Sequence, residues 1–126
     1  MPTDAEPDYD AVLRANAIGV FSEPDPARRM AALSALWAPD GVLFEPGTSV
    51  TGHEAISASV GALLGRLPPD TVFMPAGPAL GHHGRGLLRW AAGPRGGPPG
   101  PVTGTDVAVI EDGRIRALYV FLDPMP

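Results

Sequence analysis

An α+β fold, with helices segregated to one side of an antiparallel sheet, is what the sequence predicts. Three observations lead there. Apolar residues recur at helical spacing through most of the first half, and everything after Asp70 reads as strands and turns. The chain also closes on two β-branched and aromatic runs, Val102–Ile110 and Arg114–Leu122, which flank Glu111-Asp112-Gly113. An Asp-Gly pair between apolar runs is a strong short-range hairpin signal, because its residues tolerate the positive φ that tight turns require.

Taken in order, residues 1–7 are polar and expected to be frayed and disordered. From Asp8, a candidate cap, the residues Tyr9, Val12, Leu13, Ala17 and Val20/Phe21 trace one helical face. Ser22–Pro26 breaks that helix. Asp25 then caps a second one, with Pro26 at the first position, where its fixed φ and missing donor cost nothing. The apolar face runs through Met30, Leu33, Leu36 and Trp37, and Ala38-Pro39-Asp40-Gly41 is expected to stop it in a turn. Val42–Pro46 reads as a short strand and Gly47–Gly52 as a loop. A third helix runs from His53 to about Arg66, with Ile56, Val60, Leu63, Leu64 and Leu67 on one side. Thr71–Met74 is an edge or bulged strand, since Pro75 and Pro78 cannot donate to a ladder. Ala79–His83 and Gly86–Ala92 are further strands, and Gly93–Pro101 is a connecting loop.

Composition sets the outer limits. With 44% hydrophobic and 18% charged residues and a net charge of −5, the chain fits one soluble globular domain over 1–126 and argues against nucleic-acid binding. It contains no Cys and no Lys, so disulfides, thiol nucleophiles, Cys-ligated zinc and lysine Schiff bases are excluded. No stretch is apolar enough to span a bilayer, and the first residues lack a signal-peptide pattern, so a cytoplasmic location without membrane contact is expected.

The acids embedded in apolar strands are the candidates for chemistry. Asp106 shares a strand face with Ala108 and Ile110, while Thr105, Val107 and Val109 take the other. Both faces are largely apolar, so the hairpin is expected to be covered on both sides. A carboxylate there needs partners or a cavity, because burying it alone is costly. Glu45 ends the strand Val42–Pro46 on the face of Leu43; solvent or a pocket would each account for it. Two carboxyls in one apolar cavity take divergent pKa values, so that one serves as base while the other stays protonated as a donor. His82 and His83 point to opposite faces, and parity places His82 with Leu80 as a candidate proton shuttle. Trp90 shares a face with Leu88, either as core or as a pocket wall. His53-Glu54 lacks the second His of a zincin helix, and no G-x-S-x-G elbow or dinucleotide fingerprint is present.

The order LWAPDGVLFEP, GHEAI opening a helix, then GTDVAVIEDGRIRALYVF resembles the nuclear-transport-factor-2-like superfamily. The similarity is greatest to its SnoaL-like branch, with polyketide cyclases, ketosteroid isomerases and limonene-epoxide hydrolases as relatives. The resemblance spans about Asp8 to Asp123, and the chain looks most like a bacterial branch of unassigned function. It implies a curved antiparallel sheet wrapped around about three N-terminal helices, forming a cone (a cystatin-like roll) with a deep hydrophobic pocket. It further implies a homodimer through the outer sheet face. By resemblance to ketosteroid isomerase, Glu45 before Pro46 stands at the base position and Asp106 at that of the protonated oxyanion-hole acid. The helix-1 tyrosine of that hole has no match; Asn16 stands nearby as a weaker donor.

The expectation is therefore acid–base catalysis without cofactor or metal on a small hydrophobic carbonyl or polyketide-like molecule, of the isomerase, cyclase or hydrolase kind. Glu45, Asp106 and His82 would be catalytic, and Asn16, Trp37, Trp90 and Phe121 would shape the substrate pocket. The alternative is the same fold used as a non-catalytic small-molecule-binding or dimerisation module.

Overall fold

The computed structural model describes residues 6–124. Its elements are α1 (Tyr9–Gly19), α2 (Pro26–Leu36), β1 (Trp37–Glu45), β2 (Thr48–Thr51), α3 (His53–Gly65), β3 (Thr71–Pro75), β4 (Leu80–His82), β5 (Arg85–Pro94), β6 (Thr103–Glu111) and β7 (Arg114–Leu122). Both expected N-caps form. The Asp8 carboxylate accepts from Ala11 N and that of Asp25 from Arg28 N, each at 3.0 Å, and Pro26 sits in the first turn of α2. Of the segment 1–7 expected to be disordered, residues 1–5 lie outside the described residues. Glu6 is held in place: its carboxylate accepts from the Tyr9 hydroxyl and from His83 N, and the Tyr9 hydroxyl accepts from Gly84 N at 2.7 Å.

Two local expectations give way. Trp37 has extended backbone (φ −111°, ψ 143°) and opens β1 instead of closing α2, and Ala38–Gly41 is absorbed into the strand. The turn-forming residues serve as an irregularity: the register against β7 shifts between Trp37 and Val42. Gly41 permits it, since a Cβ there would lie 2.8 Å from the Trp37 ring. The expected loop Gly47–Gly52 is largely β2, joined to β1 by Pro46-Gly47 with Gly47 at φ 82°. Pro followed by a positive-φ Gly is the type II turn pattern.

The sheet runs β2-β1-β7-β6-β5-β3, with β4 pairing the first half of β5 beside this path. Its two ends do not meet, so it is a curved, unclosed sheet. Neighbours are antiparallel except β1 and β7, which run parallel, so the sheet is mixed rather than purely antiparallel. Parallel neighbours need a long crossover, and everything from β2 to β6 intervenes between these two.

The three helices cover one sheet face. Leu13, Leu33, Ile56, Leu88, Ala108, Ile115 and Leu118 are fully buried between the layers. Burying each Leu or Ile contributes roughly 1.5–3 kcal/mol. In β6 the buried residues are Gly104, Asp106, Ala108 and Ile110, as strand alternation predicts. Thr105, Val107 and Val109 are only half-buried, so within one chain the hairpin is covered on one side, not on both. Two buried polar ties position the helices. Ser22 Oγ donates to Ala17 O and accepts from Phe73 N, fixing the end of α1 to β3. Arg29, 4% exposed, donates to Ser57 Oγ on α3 and to Glu23 O. Among the described residues no helix is long and apolar enough to cross a membrane.

Candidate active site: a carboxyl pair in an apolar cavity

Between the helices and the β1, β3, β5, β6 and β7 strands lies a cavity of about 200 Å³. Its wall is almost entirely apolar: Phe21, Leu63, Phe73, Trp90 and Val120 contribute much of it. Glu45 and Asp106 are its two acids.

Asp106 is placed by strand alternation and held by one neighbour. It points to the helix-covered face of β6 and is 5% exposed. Trp90 Nε1 on β5 donates to its Oδ1 at 2.9 Å. Gly104 makes this possible. It pairs with Trp90 across the strands, and a Cβ on it would lie 2.4 Å from Trp90 Cζ2 and 2.5 Å from Phe121 O. The indole therefore lies over the glycine and reaches the acid two residues further along. Phe73 stands edge-on to Trp90, with centroids 5.2 Å apart and planes at 85°, and similarly to Phe21 at 6.3 Å.

Burial pushes the Asp106 carboxyl up to about 7, and the Glu45 charge adds to the rise, while the Trp90 hydrogen bond pulls the other way. Glu45 ends β1 directly before the Pro46 turn, half-buried, with its Oε1 accepting from Ser59 Oγ on α3 at 3.3 Å. An ionisable pair on an apolar wall, one member keeping its proton up to about pH 7, can polarise an oxygen and move a proton in the same space.

The other expected site residues are distributed differently. Trp90 lines the cavity, and its indole N–H donates to Asp106. His82 does not reach the cavity. It is exposed on β4, beside the opposite half of β5, with its Nδ1 2.9 Å from that of His83, so one ring donates and the other accepts. Asn16 and Trp37 are fully buried but stand behind the wall: Trp37 Nε1 donates to Asn16 Oδ1 at 2.8 Å, and Asn16 Nδ2 has no partner. They are core rather than pocket. Phe121 is 55% exposed on the outer face, paired with Thr105. Its place on the wall is taken by Val120 and Leu122. Among the described residues, no three His, Cys, Asp or Glu side chains converge as a metal site would require.

Residues 20–118 match the model of the SnoaL-like domain family. A SnoaL-like family protein from Agrobacterium tumefaciens str. C58, provisionally named an isomerase, is similar in structure with a TM-score of 0.83 at 24% identity, over 93% of this chain and 98% of that one. A protein from Sinorhizobium meliloti, provisionally named a polyketide cyclase, gives 0.68 at 26% identity over 87% and 93%. A ketosteroid isomerase-like fold from Catenulispora acidiphila DSM 44928, solved in complex with trimethylamine, gives 0.66 at 17% over 87% and 83%. Among curated proteins none matches the chain.

Proposed function

We propose, because this chain belongs to the SnoaL-like domain family, that its cavity performs cofactor-independent acid–base chemistry on a small hydrophobic carbonyl or polyketide-like compound. The reaction is of the isomerase, cyclase or hydrolase kind. The observation that carries this reading is Asp106: a carboxyl held by an indole, raised to about 7, on one apolar wall with a second acid. Because Oδ1 accepts from Trp90, the acid proton resides on Oδ2 and is donated toward a substrate carbonyl oxygen. Glu45 takes a proton from the adjacent carbon, and the same carboxyl returns it. Each such group typically contributes about 10²–10⁴-fold.

Deuterium exchange at the α-carbon of small cyclic ketones and enones in D2O, followed by NMR, tests the proposal. The protein should accelerate exchange, and Glu45→Gln should lower the rate at least about a hundredfold. A wild-type protein that binds the ketones yet exchanges nothing above the buffer rate would refute it.

A second reading, a non-catalytic binding module, is favoured by one observation. The wall offers a single oxygen-polarising donor, since the Asn16 amide stands behind it with its oxygen engaged by Trp37. On that reading, wild type and Glu45→Gln bind ketones alike and neither exchanges protons.

A further inference from the structure

The cavity wall carries two acids and three aromatic rings, and no basic side chain. Among the described residues, Glu45 from β1 and Asp106 from β6 are its only titratable or charged groups; α1, α3, β3, β5 and β7 contribute aliphatic or aromatic side chains alone. Arg89, beside Trp90 on β5, points away: it is half-exposed and bonded to Asp123 and Thr105 on the outer face. Asp106 Oδ2 has no hydrogen-bond partner among the described residues, although the residue is 5% exposed and lines the cavity. Phe21, Phe73 and Trp90 stand at right angles in turn, giving aromatic walls of two orientations.

The protein therefore supplies negative charge, an open acceptor and ring surfaces, and leaves the positive charge to the occupant. Ring quadrupoles attract cations, and most strongly when the site is desolvated. Alkyl groups around a nitrogen suit the apolar remainder of the wall. We propose that this cavity binds small hydrophobic ammonium cations, tertiary or quaternary amines, seated between Glu45 and Asp106 and against the rings of Trp90 and Phe73. The proposal does not depend on the catalytic reading, because it asks only for charge and shape.

Cation and carbonyl ligands make opposite demands on Asp106. A cation pairs with its carboxylate, whereas a carbonyl oxygen needs its proton. With the group near 7 and only Glu45 facing it on the wall, a permanently charged ligand should bind about tenfold more tightly at pH 8 than at pH 6. A carbonyl ligand should weaken over the same interval.

Calorimetric titration of the intact protein with benzyltrimethylammonium, its uncharged isostere neopentylbenzene, and 2-cyclohexenone at both pH values tests this. The cation should bind more tightly than its isostere and show the pH step. Asp106→Asn should abolish the step, and Glu45→Gln should weaken cation binding while keeping it. Equal affinity for cation and isostere, or a cation affinity without a pH step, overturns the proposal. If Asp106→Asn does not fold, the wild-type step and Glu45→Gln still decide. Enone binding that weakens with pH beside absent cation binding also overturns it and leaves the catalytic reading intact. Cation binding without proton exchange does the reverse.

Discussion

Replacing Asp106 by Asn should stabilise the protein at neutral and alkaline pH, by an amount that grows with pH. Asn keeps an oxygen in place to accept from Trp90 Nε1 and removes the ionisable proton. In the unfolded chain an Asp ionises near 3.8; in the folded protein Asp106 ionises at about 7. Below 3.8 both states are protonated and the group has no effect. Between these values unfolding releases a proton, so rising pH favours the unfolded state and stability is lost up to about 7. The loss runs at about 1.4 kcal/mol per pH unit, and a shift of about three units gives about 4 kcal/mol in total. The assay is urea denaturation of wild type and Asp106→Asn at half-unit intervals from pH 4 to pH 8.5. Subtracting one curve from the other cancels the remaining carboxylates. The difference should be near its minimum at pH 4, rise with pH, and flatten above 7. A difference independent of pH, or one in which the variant loses stability as pH rises, would show that the acid is not destabilised by burial and would remove the basis for a protonated donor.

Three further outcomes follow from the same geometry. Trp90→Phe removes the only hydrogen bond that lowers the Asp106 pKa, so the alkaline limb of any exchange or stability profile should move to higher pH. Gly104→Ala should cost about 1–3 kcal/mol in denaturant melts and disturb the site, because the added methyl meets Trp90 and the Phe121 carbonyl at 2.4 and 2.5 Å. A variant as stable as wild type, with an unchanged tryptophan spectrum, would contradict that packing. Asp25→Ala should cost about 1 kcal/mol through loss of the α2 cap, measured as a lower urea midpoint with unchanged slope.

The strand face of each acid is legible because strand alternation and proline act locally, whereas their pairing enters only as what the family resemblance implies. Asp106 between small and β-branched residues, and Glu45 before Pro46, could be placed on faces by counting. Counting failed where registers shift. The β6–β7 pairing slips between Val109 and Ile110, so Ile115 and Leu118 are both fully buried although three residues apart. Beyond that point Val120 and Leu122 face the cavity, and Phe121 faces out. As an apolar residue at i+4 from Leu33, Trp37 fits a helix face; the strand that begins there is fixed by pairing with β7, which no local pattern announces. Pro46-Gly47 did carry a hairpin signal that the polar residues after it obscured. His82 obeyed parity with Leu80, yet β4 pairs only with β5 and leaves both residues exposed. The Trp90–Asp106 bond depends on which residues face each other across β5 and β6, and the readable trace of it is the glycine two places before the acid.

In the sheet, β7 lies between β1, which carries Glu45, and β6, which carries Asp106. The two acids therefore cannot share a wall until the last strand has docked against both neighbours. Pairing β1 with β7 closes a loop containing most of the chain, an entropically demanding step. Without β7, the β5–β6 pairing that carries the Trp90–Asp106 contact has no strand joining it to the wall that carries Glu45. An occupant that touches both acids therefore requires β7 to be paired along both of its edges.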